Sequence, residues 1–174
     1  MAKVGASLPD IELQEGAPDK TVKITDLFKG KKGILFGVPG AFTPGCHKTH
    51  LKGYVTDYEK LTKAGAEIIV CVAVNDAFVM EAWGDASGAK GKVHMLADSH
   101  GELARALGVE LDSEKMLGTK RCKRFSAVID NNVIKSLNVE PDGTGTTCSL
   151  SNEIVGQLSK VCGNVSRTAV ISRT

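Results

Sequence analysis

"GILFGVPGAFTPGCHKTHL", residues 33–51, sets the architecture. Its first part, "GILFGVP", is a short apolar run bounded by glycine and proline, which reads as a buried strand. Thr43 then offers a good N-cap. Pro44 suits the first helical position, because its fixed φ and missing N–H cost nothing there. Strand, tight proline loop and helix start place this stretch at the C-terminal edge of a sheet, where α/β proteins build their sites. Cys46 falls inside the first helical turn, where unpaired N–H groups and the positive end of the helix dipole converge. A thiolate is favoured over a thiol at such a place. The competing reading is that Pro44 and Gly45 merely start a helix and Cys46 packs inward. Position alone leaves both open.

Working outward, "AEIIVCVAV" (66–74) and "KVHMLAD" (92–98) read as further buried strands. "NDAFVMEAWGDAS" (75–87) reads as a helix capped by Asn75 or Asp76, and "GELARALG" (101–108) as a short helix closed by Gly108. "RFSAVID" and "VIKSLNVE" flank Asn131-Asn132, a hairpin signal, and "SLSNEIVGQLSKV" (149–161) is a final helix. Strands alternate with helices, and a hairpin follows. The expected fold is therefore α/β, a mixed central sheet with helices on both faces. No repeat, low-complexity tract or linker interrupts residues 1–174, so a single domain is expected.

The 174 residues are 42% hydrophobic and 24% charged, the make-up of an ordinary globular chain large enough for a real core. No run of 18 apolar residues exists, so no membrane span is expected. The net charge of +2 argues for neither nucleic acid nor a membrane surface as partner. Lys120, Arg121, Lys123 and Arg124 form one local basic cluster. The N-terminus lacks an apolar signal core, and the terminal "SRT" lacks the leucine of a peroxisomal address. Five cysteines, at 46, 71, 122, 148 and 162, form no CxxC pair. That odd set fits a reducing compartment, with cytoplasm the expectation and mitochondrion or peroxisome left open.

The spacing Pro-x-x-x-Thr-x-x-Cys, met by Pro39, Thr43 and Cys46, resembles the peroxidatic loop of the peroxiredoxins. "AVNDAFVMEAW", "KRFSAVID" and "NVEPDGTGTTCSL" extend the resemblance to the atypical two-cysteine, peroxiredoxin 5 type. It runs from about residue 3 to about residue 158 and leaves the tail 159–174 unmatched. The resemblance implies a thioredoxin-like fold and reduction of hydrogen peroxide and alkyl hydroperoxides, with no cofactor and no metal. Cys46 would become a sulfenic acid, and Cys148 would resolve it as an intramolecular disulfide recycled by thioredoxin. A homodimer is also implied.

The residues carried over have physical roles. Thr43 would orient thiolate and peroxide together by accepting from one partner and donating to another. Arg124 would sit beside the thiolate, Pro39 would exclude water, and the N–H groups of Gly45 and Cys46 would add donors. The meeting of Cys46 and Cys148 would require the first helical turn to unwind and the loop around Gly143 and Gly145 to move. Met116 and Leu117 are candidates for lining the peroxide pocket.

The remaining signals are weaker. Cys71 lies in a buried run and reads as inert; Cys122 lies beside Arg124 without a partner; Cys162 is a rival to Cys148 for resolution. His47 and Lys52 depart from the family pattern and should affect only the rim. Cys46 and His50 share a helical face, but a metal centre lacks further ligands. His50 is expected to be structural. "DGTGTT" lacks the ending of a phosphate loop. A non-catalytic redox sensor using the same Cys46 is the alternative function.

Overall fold

The computed structural model describes residues 2–163; the Cys162 side chain and the tail from 164 lie outside the described residues. In chain order the elements are β1 (Glu12–Glu15), β2 (Ala17–Lys23), α1 (Ile24–Phe28) and β3 (Lys32–Val38). A π-helical segment (Cys46–Leu51) runs into α2 (Lys52–Thr56) and α3 (Tyr58–Lys63). Then come β4 (Ile68–Ala73), α4 (Ala77–Ala86), β5 (His94–Ala97), α5 (Glu102–Leu107), β6 (Glu110–Leu111) and α6 (Glu114–Leu117). The chain closes with β7 (Arg121–Cys122), β8 (Phe125–Asp130), β9 (Val133–Val139) and α7 (Ser151–Gly163).

Seven strands form one sheet in the order β2-β1-β5-β4-β3-β8-β9, and β6 and β7 pair separately. β3, β4 and β5 run parallel, whereas β8, β9, β1 and β2 join antiparallel, so the sheet is mixed as expected. The apolar runs of β3 and β4 follow from burial on both faces. One face presents Phe36, Val38 and Cys71 to Tyr54 of α2, Trp83 of α4, and Ile154 and Leu158 of α7. The other presents Leu35, Val70 and Val72 to Ile24 and Phe28 of α1 and Leu103 and Leu107 of α5. Each such side chain contributes about 1.5–3 kcal/mol on burial.

The local signals act as the sequence suggests. Asn131 and Asn132 take φ of 45° and 65°, the left-handed pair of a tight hairpin. Asp76 caps α4 by accepting from Val79 N at 2.9 Å, and Gly108 closes α5 at φ 69°. The β1–β2 hairpin and α1 were not anticipated. β2, "APDKTVK", is an edge strand whose exposed charged residues and proline carry a loop's composition.

Candidate active site

β3 hands the chain to Pro39 and Gly40, both buried. The loop turns back through Phe42, whose φ of 61° is strained for an aromatic residue. Ala41 N donates to Asn75 Oδ1 at 2.9 Å. Thr43 Oγ1 donates to Gly40 O at 2.9 Å. This second bond corrects two expectations. The Thr43 side chain does not cap the helix, and its single proton is already used, so the hydroxyl can only accept from a further partner. The Thr43 carbonyl does serve the helix, accepting from His47 N at 2.8 Å. The turn that follows is also not α-helical: Cys46–Leu51 is a π-helix, a form common at functional sites.

Cys46 packs fully inward, yet it meets a cation there. Arg124 Nη2 donates to Cys46 Sγ at 3.2 Å, and the two residues are 2% and 0% exposed. Arg124 Nε donates to Thr144 O at 3.2 Å. Nη1 is buried and has no hydrogen-bond partner. Among the described residues no carboxylate forms a salt bridge with this guanidinium. A buried cation without a carboxylate partner favours negative charge among the groups around it. Gly45 makes the approach feasible, since a Cβ there would lie 3.1 Å from Nη2.

The segment carrying Cys148 is tied to the helix that carries Cys46. His50 Nε2 and Tyr54 OH reach Ser149 O at 2.9 and 2.8 Å. Phe36 stacks on Tyr54 with centroids 4.0 Å apart and meets His50 edge-on. Burial lowers the His50 pKa to about 4. The neutral ring donates through Nε2, so His50 has the structural role expected of it. Cys148 is half-buried and free; burial, then the charge of Glu140, pushes its thiol up. Burial also pushes up the thiols of Cys71 and Cys122, which fits inert core residues.

His47 stays on the rim. It stacks against Phe42 at 5.8 Å, and Trp83 Nε1 donates to its Nδ1 at 3.1 Å. Lys52 is exposed and opens α2. Met116 projects into solvent at 77% exposure and, as placed, forms no wall of an enclosed pocket; Leu117 beside it is half-buried. Among the described residues no group of three or more His, Cys, Asp or Glu is placed to hold a metal ion. No helix among them is long and apolar enough to cross a membrane. Three residues escaped the sequence reading: Asn75, taken only as a possible cap; Tyr54; and Glu140, which accepts from the backbone on both sides of and at Cys148. The only signal for Glu140 was its place at the end of a strand before a Pro-Asp-Gly turn.

A buried thiol at a helix start, on a mixed sheet clad on both faces, defines a redox protein of the thioredoxin-like class. The Redoxin family model matches residues 3–154. Peroxiredoxin-2E, chloroplastic, of Arabidopsis thaliana is 44% identical over 152 residues, 84% of this chain and 65% of that protein. The chain thus spans just under two thirds of that relative's length. The crystal structure of peroxiredoxin 5 from Alvinella pompejana superposes with a TM-score of 0.82 at 45% identity, covering 92% of this chain and 99% of that one. Reduced Prx3 of Vibrio vulnificus, solved in complex with hydrogen peroxide, gives 0.84 at 40% identity, covering 91% and 99%. The chain belongs to the peroxiredoxin family.

Proposed function

We propose that the chain is a thiol peroxidase in which Cys46 reduces hydrogen peroxide and alkyl hydroperoxides and Cys148 resolves the product. The observation that carries this is the Arg124 guanidinium, with Nη2 on the Cys46 sulfur and Nη1 buried and unpartnered. One fork of donors can thus hold a thiolate and a peroxide oxygen side by side. The thiolate attacks the terminal oxygen; the O–O bond breaks, and the alkoxide or hydroxide leaves and takes a proton. Charge developing on that oxygen falls beside Nη1. Thr43, its proton held by Gly40 O, accepts from the peroxide O–H. Pro39, buried at the mouth of the loop, keeps water from the sulfenic acid. Gly45 lets the guanidinium approach the sulfur.

Cys148 then attacks the sulfenic sulfur, giving a disulfide and water. Two electrons from a thioredoxin-type dithiol return both cysteines to thiols. The whole of 1–174 acts as a single peroxiredoxin-like domain. A homodimer is the proposed assembly; exposed Phe42 and Phe78 offer apolar contact surface. The cytoplasm is our proposed compartment, on the four cysteines that are free among the described residues; the chloroplastic relative makes an organelle the second reading.

The test is peroxide consumption with thioredoxin and its reductase. Many turnovers per chain are expected, none with Cys46→Ser, and a single equivalent with Cys148→Ser. A single equivalent from the unmodified chain would instead identify a stoichiometric sensor.

A further inference from the structure

Glu140 directly follows β9 and is 1% exposed. Its carboxylate gathers five hydrogen bonds from three consecutive residues. Oε1 accepts from Thr147 N at 2.8 Å, Cys148 N at 2.9 Å, Ser149 N at 3.0 Å and Ser149 Oγ at 2.7 Å. Oε2 accepts from Thr147 Oγ1 at 2.6 Å. The middle residue of the three is Cys148. A carboxylate suits this site because every partner donates, and both its oxygens accept. An amide could keep its oxygen on the N–H donors and set its NH₂ against the Thr147 hydroxyl, which can accept, so Gln preserves the shape but removes the charge that strengthens every bond. Burial pushes the Glu140 carboxyl up, but the bonds from Thr147, Cys148 and Ser149 outweigh it and hold the pKa at about 2. The backbone of Glu140 is fixed as well, its N–H donating to Arg124 O at 3.0 Å.

We propose, resting on the assignment of Cys148 as the resolving thiol, that Glu140 is a positioning residue that restrains Cys148, so that release of 147–149 from its carboxylate sets the rate of disulfide formation. Cys148 must reach a sulfur that is 0% exposed. Its own N–H and those of both neighbours are held on one anion, so the segment moves only when several of these bonds open together. The same charge acts on the thiol chemistry. Cys148 faces the carboxylates of Glu140 and Glu153, which disfavour its thiolate in addition to burial. The basic groups nearby do not offset this: His50 is neutral above about pH 4, and Arg124 is directed at Cys46 and Thr144. In the restrained step Cys148 loses its proton and its sulfur attacks Cys46–SOH. The S–S bond forms, and hydroxide leaves and takes up the proton as water.

The test is rapid mixing of the full chain with hydrogen peroxide. Emission of Trp83, the single tryptophan and bonded to His47 beside Cys46, is followed alongside acid-quenched mass analysis of sulfenate and disulfide. Glu140→Gln is expected to leave oxidation of Cys46 within about twofold while speeding disulfide formation about tenfold, the effect of turning charge-assisted hydrogen bonds into weaker neutral ones. The rise of that second step with pH should also move to lower pH. A merely structural substitution would move neither selectively. Thr147→Val removes the Oγ1–Oε2 bond and with it the hydroxyl's contact with Cys148 that favours its thiolate; read on the high-pH plateau, where Cys148 is ionised in both chains, it should speed the same step about threefold, and it carries the test if Glu140→Gln does not fold. Disulfide formation unchanged or slower in a folded variant overturns the proposal. Cys148→Ser separates the two levels. An intramolecular disulfide at Cys46 in that variant defeats the resolving assignment and the proposal with it. Without such a disulfide, unchanged kinetics in the Glu140 and Thr147 variants defeat the restraint alone.

Discussion

Arg124 Nη2 lies 3.2 Å from the sulfur of Cys46, and both residues are closed to solvent. The pair is a product of sheet register. β3 leads into the loop that carries Cys46, and β8 begins one residue after Arg124, with Gly37 opposite Phe125. Two distant segments of sequence are thereby brought to one edge of the sheet, and neither residue needs a flexible loop to find the other.

Replacing Arg124 by Gln removes the cation from the thiol and both guanidinium donors from the site. Oxidation of Cys46 should slow by about 10²–10³, the usual effect of losing a preorganised donor at a developing charge. The pseudo-first-order rate at several peroxide concentrations measures it. A loss below about threefold would remove Arg124 from the mechanism.

Gly45→Ala tests the same contact from the opposite side. Its methyl would stand 3.1 Å from Nη2, closer than carbon and nitrogen ordinarily rest, so the guanidinium must shift. We expect peroxide reactivity to fall about tenfold, since small misplacements of a catalytic group cost that much or more. Thermal unfolding checks that the fold survives.

Acid should destabilise the chain through His50. Its folded pKa is lowered to about 4 from 6.5, because burial opposes the charged ring. Below 6.5 the unfolded chain takes up a proton that the native ring refuses until about 4. The stability is therefore present above 6.5 and lost as pH falls through that window, by up to about 3 kcal/mol. Glu140, lowered to about 2 from 4.5, extends the loss in the same direction at still lower pH. Urea unfolding at pH 7, 5.5 and 4 reads this out. His50→Gln, whose amide can still donate to Ser149 O, should flatten the slope between 6.5 and 4.

Cys71 and Cys122 should resist alkylation in the native chain. Both are buried and their thiols are pushed up. Iodoacetamide at neutral pH followed by peptide mass analysis should find them unmodified until denaturant is added. Rapid labelling of either without denaturant would show that the core around β4 and β7 opens.

Much of the site was legible because its signals are local or lie in a spaced motif. The apolar runs of β3 and β4 declare strands buried on both faces, and Pro39, Thr43 and Cys46 lie within eight positions of one another. What escaped depends on tertiary partners. Thr43 reads as a cap from its type, but Gly40 O competes for its hydroxyl. The π-helix over Cys46–Leu51 carries no composition that separates it from an α-helix. Asn75 and Asp76 were equal candidates for one cap; the fold gives Asp76 to the helix and Asn75 to the loop at Ala41. Met116 is apolar and near the basic stretch in sequence, yet the short α6 turns it to solvent. Glu140 showed in sequence only as a strand end before a turn, because its five hydrogen bonds form only once the 147–149 segment folds back onto the end of β9.

The most direct test of the central assignment is disulfide mapping of the chain after one equivalent of hydrogen peroxide, with Cys148→Ser in parallel. The unmodified chain should yield a single Cys46–Cys148 cross-link, and the variant should trap sulfenic acid on Cys46. Oxidation that leaves Cys46 untouched, or a cross-link that joins other cysteines, would contradict the assignment.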